Sequence, residues 1–283
     1  LAKAREILKR RKAVVNTKKI TKTMEMIATA KFRKAINRMT GSRAYHEALH
    51  KMAGILFEDI SHPLAVAREK RSHTTLLVLT SNRGLCGGYN SGALRLAKKH
   101  YSDLLAKGQE VSLWMSGKKG HTYAKYNQLP IARKLLSPED KTNWDETADL
   151  TRELAGSFLN GTTDSVEIIY NSFVSTTSHK PGIEQLVPLK LPAPEQESGY
   201  FWEPGPEDMR EEFVYRMLEH RLFGIYLESG AVEQVARRIA MKNATDSADE
   251  MIKILTRFYN RARQYQITQE ISELIGGAEA LEQ

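Results

Sequence analysis

Residues 241–265 read MKNATDSADEMIKILTRFYNRARQY, and steps of three and four from Met241 pick out Ala244, Ala248, Met251, Leu255, Phe258, Ala262 and Tyr265. That alternation is the seam of an α-helix wound against another helix. From Ala231 to Leu281 there is no proline, and glycine occurs only at Gly276-Gly277, beyond the seam. A helix of about 50 residues would reach roughly 75 Å, more than a compact domain needs. Arg237, Arg238, Lys242, Asn243, Arg257, Asn260, Arg261, Arg263 and Gln264 crowd the remaining faces, and the stripe shifts at its end to Ile267, Ile271 and Leu274. The stretch reads as a shaft.

A shaft of this kind needs a partner helix. Residues 2–58 contain no proline and are rich in Leu, Met, Ala, Lys and Arg, all good helix formers. Apolar spacing is clear at Tyr45, Leu49, Met52 and Leu56 but thin at Ile20, Met24 and Ile27. So narrow an apolar face calls for packing along one edge, and small residues (Ala28, Ala35; Ala244, Ala248, Ala262) suit a close antiparallel approach. His62-Pro63 is expected to end this helix. Its charge is lopsided: residues 1–43 hold fourteen Lys or Arg against Glu6 and Glu25, while the whole chain carries +8. Such a helix must meet phosphates, an anionic membrane surface or an acidic protein.

Between the helices the pattern changes. Thr74–Thr80 is a β-branched, apolar run typical of a buried strand. Leu94, Ala97, Tyr101, Leu104 and Leu105 follow with helical spacing, closed by Gly108. Val111–Met115, Ser165–Val174 and Ile183–Leu191 read as strands, and Tyr123–Tyr126 and Ala148–Leu159 as helices. Alternating strands and helices indicate an α/β domain with an at least partly parallel sheet. The expected division is residues 1–60 as an N-terminal shaft helix, 70–195 as the α/β domain and 207–283 as a C-terminal shaft helix. An aromatic run, Tyr200-Phe201-Trp202-Glu203, stands between prolines and acids before the last helix.

Few residues suggest chemistry. Ser81–Asn90 lies between a strand and a helix, where phosphate loops occur, yet Gly84-Leu85-Cys86-Gly87-Gly88 is not GxGxxG. Ser116-Gly117-Lys118-Lys119-Gly120 has lysine where a magnesium-binding hydroxyl belongs. The first reads as a tight packing turn. Cys86 stands alone, without a neighbouring histidine, which argues against a disulfide, a cysteine zinc cluster and a catalytic thiol. His46 and His50 have i,i+4 spacing but no HExxH context, and read as surface histidines; Asp145-Glu146 read as solvated helix acids. No run of eighteen apolar residues is present, and no secretory signal is expected. The reading is of a protein with no catalytic, metal or cofactor site of its own. A nucleic-acid binder would interleave aromatic side chains among the lysines, and residues 1–43 supply only Phe32.

Four segments in order resemble the γ subunit of the bacterial F-type ATP synthase. They are Asn16-Thr17-Lys18-Lys19-Ile20-Thr21-Lys22-Thr23-Met24-Glu25-Met26-Ile27-Ala28; Arg83–Asn90; Ala240–Asp246 with Tyr259–Gln264; and Ile267–Ala280. Asn82, Arg238 and Ser247 depart from the residues usual in that family. The resemblance implies a long antiparallel coiled coil of the terminal helices with an inserted Rossmann-like α/β domain. It implies a rotor turning inside the ring of three α and three β subunits, coupling proton flow through the c-ring to ATP synthesis or hydrolysis at β. One copy would serve each hetero-oligomer, with no nucleic acid partner, and would be peripheral at the cytoplasmic side of the cell membrane, held there through the c-ring. Met24, Arg263 and Gln264 match positions that touch β; Tyr200, Phe201, Trp202 and Glu203 lie in the stretch near the ε subunit and c-ring.

Overall fold

The computed structural model describes residues 2–57, 62–137, 142–192 and 203–281. Its elements run α1 (Ala2–Leu56), β1 (His73–Leu79), α2 (Tyr89–Ala106), β2 (Glu110–Ser116), α3 (Lys118–Tyr126), β3 (Arg133–Leu135), α4 (Trp144–Leu159), β4 (Ser165–Phe173), β5 (His179–Val187) and α5 (Pro206–Leu281). Long terminal helices pack together, and an α/β sheet is inserted between them. Internal contacts divide the chain into Leu1–Ile27 with Arg238–Gln283, and Ala28–Arg237.

In the larger unit the sheet order is β3-β2-β1-β4-β5. β1 pairs in parallel with β2 and β4, and β2 with β3, while β5 returns antiparallel to β4. Successive side chains of a strand point to opposite faces. Leu76 and Val78 accordingly join Leu113, Met115 and Ile169 beneath α2, with α3's Ala124. Leu77 and Leu79 join Ile168, Tyr170 and Leu186 against α4, Leu49–Leu56 of α1 with Phe57 just beyond it, and α5's Phe213–Tyr226. The middle of the sheet is buried on both faces, which is why β1 and β4 read as largely apolar runs.

Three boundaries differ from expectation. β3 escapes the sequence because three residues carry no periodicity; Ala132 N–H donates to Leu113 O at 2.9 Å and places it on the edge. β5 occupies His179–Val187 rather than Ile183–Leu191, since Pro188 has no N–H to continue the ladder. α1 closes at Leu56, before His62-Pro63.

In the smaller unit α1 and α5 run antiparallel: Lys18 meets Asp249 at 2.5 Å, and the hydroxyls of Thr21 and Thr245 meet at 2.8 Å. On α1, Ala4, Ile7, Arg11, Val14, Lys18, Thr21 and Glu25 are half or fully buried at alternating steps of three and four. On α5 the covered positions are Met241, Thr245, Ala248, Ile252, Leu255, Tyr259, Ala262 and Gln266. This corrects the expected seam: Met251, Phe258 and Tyr265 are exposed, and the neighbour of each is turned inward in its place. Where two adjacent residues are both large, apolarity cannot choose between them. Specific contacts choose, among them the Arg11 guanidinium lying 5.8 Å over the Tyr259 ring. Ile267, Ile271 and Leu274 are exposed as well.

Candidate functional site

On the helix pair, Arg263 and Gln264 follow the covered Ala262 and are both exposed, so their side chains face away from α1. Met24 is half-buried, one turn beyond Thr21. At 1.5 Å per residue Arg263 lies about 27 Å along α5 from Thr245, the residue that pairs with Thr21. Met24 and the Arg263-Gln264 pair are therefore two levels of one helix pair, and do not form a single pocket. The sequence reading missed Lys18, Thr21, Thr245 and Asp249, which set the register between the helices. The missed signal was a heptad running through polar residues of α1.

Of the expected foot, Tyr200, Phe201 and Trp202 lie outside the described residues, and Glu203 is exposed just before α5.

The loop after β1 is a packing turn with a definite target. Leu85 and Gly87 both adopt positive φ, 62° and 54°. For a residue as bulky as Leu85 that conformation is strained. The turn drives Cys86 and Tyr89 into a cluster with Val232 and Ala236 of α5. Asn90 ties the loop together, its Oδ1 accepting from Ser81 N–H at 2.9 Å and its Nδ2 donating to Ser81 Oγ at 2.8 Å. Asn82, where the resembled family has Asp, donates through Nδ2 to Ser137 O at 2.7 Å, a bond a carboxylate could not make. The glycines of 116–120 serve contact: a Cβ at Gly117 would stand 2.2 Å from Thr80 O, and one at Gly120 2.5 Å from Met115 Sδ. Burial pushes the Cys86 thiol up from its ordinary range, the opposite of what a nucleophile needs.

His46 and His50 are not free surface groups. Both are half-buried, their rings 4.5 Å apart, and His220 of α5 closes on His46, its ring 5.6 Å from His46 and 4.8 Å from Tyr45, with Trp144 of α4 at 6.0 Å. No group of three or more metal-ligating side chains is found among the described residues. No helix among them is long and apolar enough to cross a membrane.

A family model described as ATP synthase matches residues 3–281. The ATP synthase gamma chain of Rhodopirellula baltica is 40% identical over 295 residues, covering 100% of both chains. That of Leptospira biflexa is 40% identical over 292 residues, covering 99% of this chain and 100% of the relative. That of Saccharopolyspora erythraea is 35% identical over 302 residues, covering 99% and 98%. Among solved structures, a chain of the Euglena gracilis mitochondrial ATP synthase (OSCP/F1/c-ring, rotational state 3) superposes with a TM-score of 0.71 at 19% identity, covering 99% of this chain and 95% of that one. A chain of the Tetrahymena thermophila mitochondrial central stalk and c-ring gives 0.59 at 22%, covering 80% and 99%. The two solved structures share the fold, two terminal helices around an inserted sheet, and the full-length relatives extend the likeness to sequence. The chain belongs to the ATP synthase gamma chain family, whose members are the non-catalytic central-stalk rotor of the proton-translocating F-type complex.

Proposed function

We propose that this chain transmits rotation through two separate surfaces, one on the helix pair and one at its foot. The helix pair stands inside the ring of three α and three β subunits, where Met24, Arg263 and Gln264 engage moving loops of β. Residues 1–60 and 207–283 act as the shaft helices and 70–195 as the domain at its base. That base, with the run Tyr200-Phe201-Trp202-Glu203, binds the ε subunit and rests on the c-ring, which holds this otherwise peripheral protein at the cytoplasmic side of the membrane. Aromatic residues between prolines and acids have the composition of an interface.

One observation carries the reading of the shaft: Arg263 and Gln264 are exposed directly beside a covered seam residue, on a helix pair with little apolar filling. Arg263 offers a planar fork of donors to a carboxylate, and Gln264 adds a donor and an acceptor. A charge-assisted hydrogen bond contributes roughly 1.5–3 kcal/mol, enough to bias one rotary dwell without locking it. Arg263→Ala with Gln264→Ala should slow ATP turnover of the assembled complex about ten-fold, the effect of about 1.4 kcal/mol, while the helix content of the isolated chain stays the same. Turnover equal to the parent's would remove both residues from the mechanism.

A further inference from the structure

In open α/β sheets ligands sit outside the carboxyl ends of the parallel strands, where the strand order reverses. With the order β3-β2-β1-β4-β5 that point falls between β1 and β4. Here the place is filled by the chain's own α5. Tyr89, fully buried at the start of α2, has its hydroxyl 2.7 Å from Ser229 Oγ and 3.3 Å from Ser229 O. Asn171, near the end of β4, donates to Tyr89 O at 3.0 Å. Glu228 accepts from Phe173 N–H, at the last residue of β4, at 2.7 Å. One turn on, Glu233 and Arg237 form a buried pair at 2.7 Å, and Arg237 reaches toward Gly84 O at 3.5 Å. Further back along α5, Arg221 pairs with Glu184 of β5 and Glu219 with Arg152 of α4.

These contacts differ in kind from the apolar packing around them. Hydrophobic contact is non-directional and tolerates sliding and rolling of a helix on a sheet. Hydrogen bonds are directional and resist both. We propose that this crevice is a polar joint in which Tyr89, Ser229 and Glu228 fix the angular position of α5 on the sheet, so that torque entering the α/β domain reaches the helix without slip. They are positioning residues for rotary coupling. The proposal rests on the reading of the α/β domain as the loaded foot.

The chain's only cysteine reports on the joint. Cys86 is 2% exposed and packs beside Tyr89 against Val232 and Ala236, so a maleimide reaches it only when the joint opens. The experiment uses the assembled complex in sealed vesicles, carrying Tyr89→Phe, Ser229→Ala, both, or Glu228→Leu, which takes away the acceptor of Phe173 N–H. Labelling of the peptide bearing Cys86 is followed in the idle complex and during ATP-driven pumping against a gradient. Losing the Tyr89–Ser229 side-chain bond should raise labelling about ten-fold in Tyr89→Phe and in Ser229→Ala, with no rise in the double variant beyond that of Tyr89→Phe, because Ser229→Ala leaves the tyrosine hydroxyl only its 3.3 Å contact with Ser229 O. Under load, labelling in the variants should rise again and protons pumped per ATP should fall, while hydrolysis by the complex stripped of its membrane sector stays at the parent's rate. Unchanged idle labelling, additive effects, or an equal fall in stripped-complex hydrolysis would each overturn the joint. Raised idle labelling that load does not change, with normal pumping, would mean that the joint exists but carries no torque. That outcome overturns the proposal by way of the foot and leaves Arg263 and Gln264 untouched.

Discussion

Replacing His220 with leucine should remove a large part of this protein's acid sensitivity. The ring is 5% exposed and its Nδ1 is buried without a hydrogen-bond partner. Burial first, then the neighbouring His46 and Arg221, hold its pKa down, from 6.5 to about 4. The groups around it are His46 on α1, itself lowered by burial and by His50, and Arg221 on α5, which Glu184 of β5 partly neutralises. Between these pH values the unfolded chain binds a proton at this ring and the folded chain does not, so stability rises with pH across the window. It is complete above about 6.5 and is lost as pH falls toward 4. The slope is about 1.4 kcal/mol per pH unit, or about 3 kcal/mol over the window. The assay is urea unfolding at stepped pH, followed by the fluorescence of Trp144, whose ring lies 6.0 Å from His220. Other groups tilt parent and variant alike, so the quantity read is the difference between them. That difference should grow in favour of His220→Leu by about 3 kcal/mol from pH 6.5 to pH 4. A difference that stays flat would show that the ring is not held neutral by its surroundings.

Three further outcomes are expected. Gly120→Val should destabilise the α/β unit by more than 3 kcal/mol, the scale of core overpacking, because its Cβ alone would lie 2.5 Å from Met115 Sδ and 2.7 Å from Thr80 Oγ1; a Tm within a degree of the parent's would contradict the geometry. Thr245→Val should cost about 1 kcal/mol by leaving the buried Thr21 hydroxyl without its partner across the helix pair, whereas Thr21→Val with Thr245→Val should recover most of it; a double variant worse than the sum of the singles would refute the register role. Purified chain should show no stoichiometric ATP uptake by calorimetry at micromolar concentration, since α5 fills the place a nucleotide would take; saturable heat would refute that.

How much could be read in advance depended on whether a pattern was local. The central strands β1 and β4 were legible because both faces of the sheet are buried there, as in the apolar run Leu76–Leu79, whereas the edge strands β3 and β5 carry no such run. The long helices were legible because nothing interrupts them. The seam was placed one residue off at Ile252, Tyr259 and Gln266 because its choice rests on α1, more than two hundred residues away. His46 looked superficial for the same reason: His220, which stacks on it, is brought in by α5 from far along the chain. Arg263 and Gln264 were legible as outward-facing because that follows from their position beside Ala262 on one helix. What Tyr89 does was not legible, since a tyrosine after a glycine-rich turn says nothing of the serine it meets on α5.

The pairing of Lys18 with Asp249 spans 231 residues of chain. At about 5–20 residues per second, some 12–46 s separate the synthesis of the two. Throughout that interval α1 has no α5 to lie against. A strongly apolar α1 would spend it as an aggregation hazard. This one holds lysine, arginine, threonine and glutamate even at its seam, so waiting exposes little that other nascent chains could stick to. The α/β segment, His73 to Val187, is complete long before α5 emerges. The helix pair is therefore the last part of the molecule that can form.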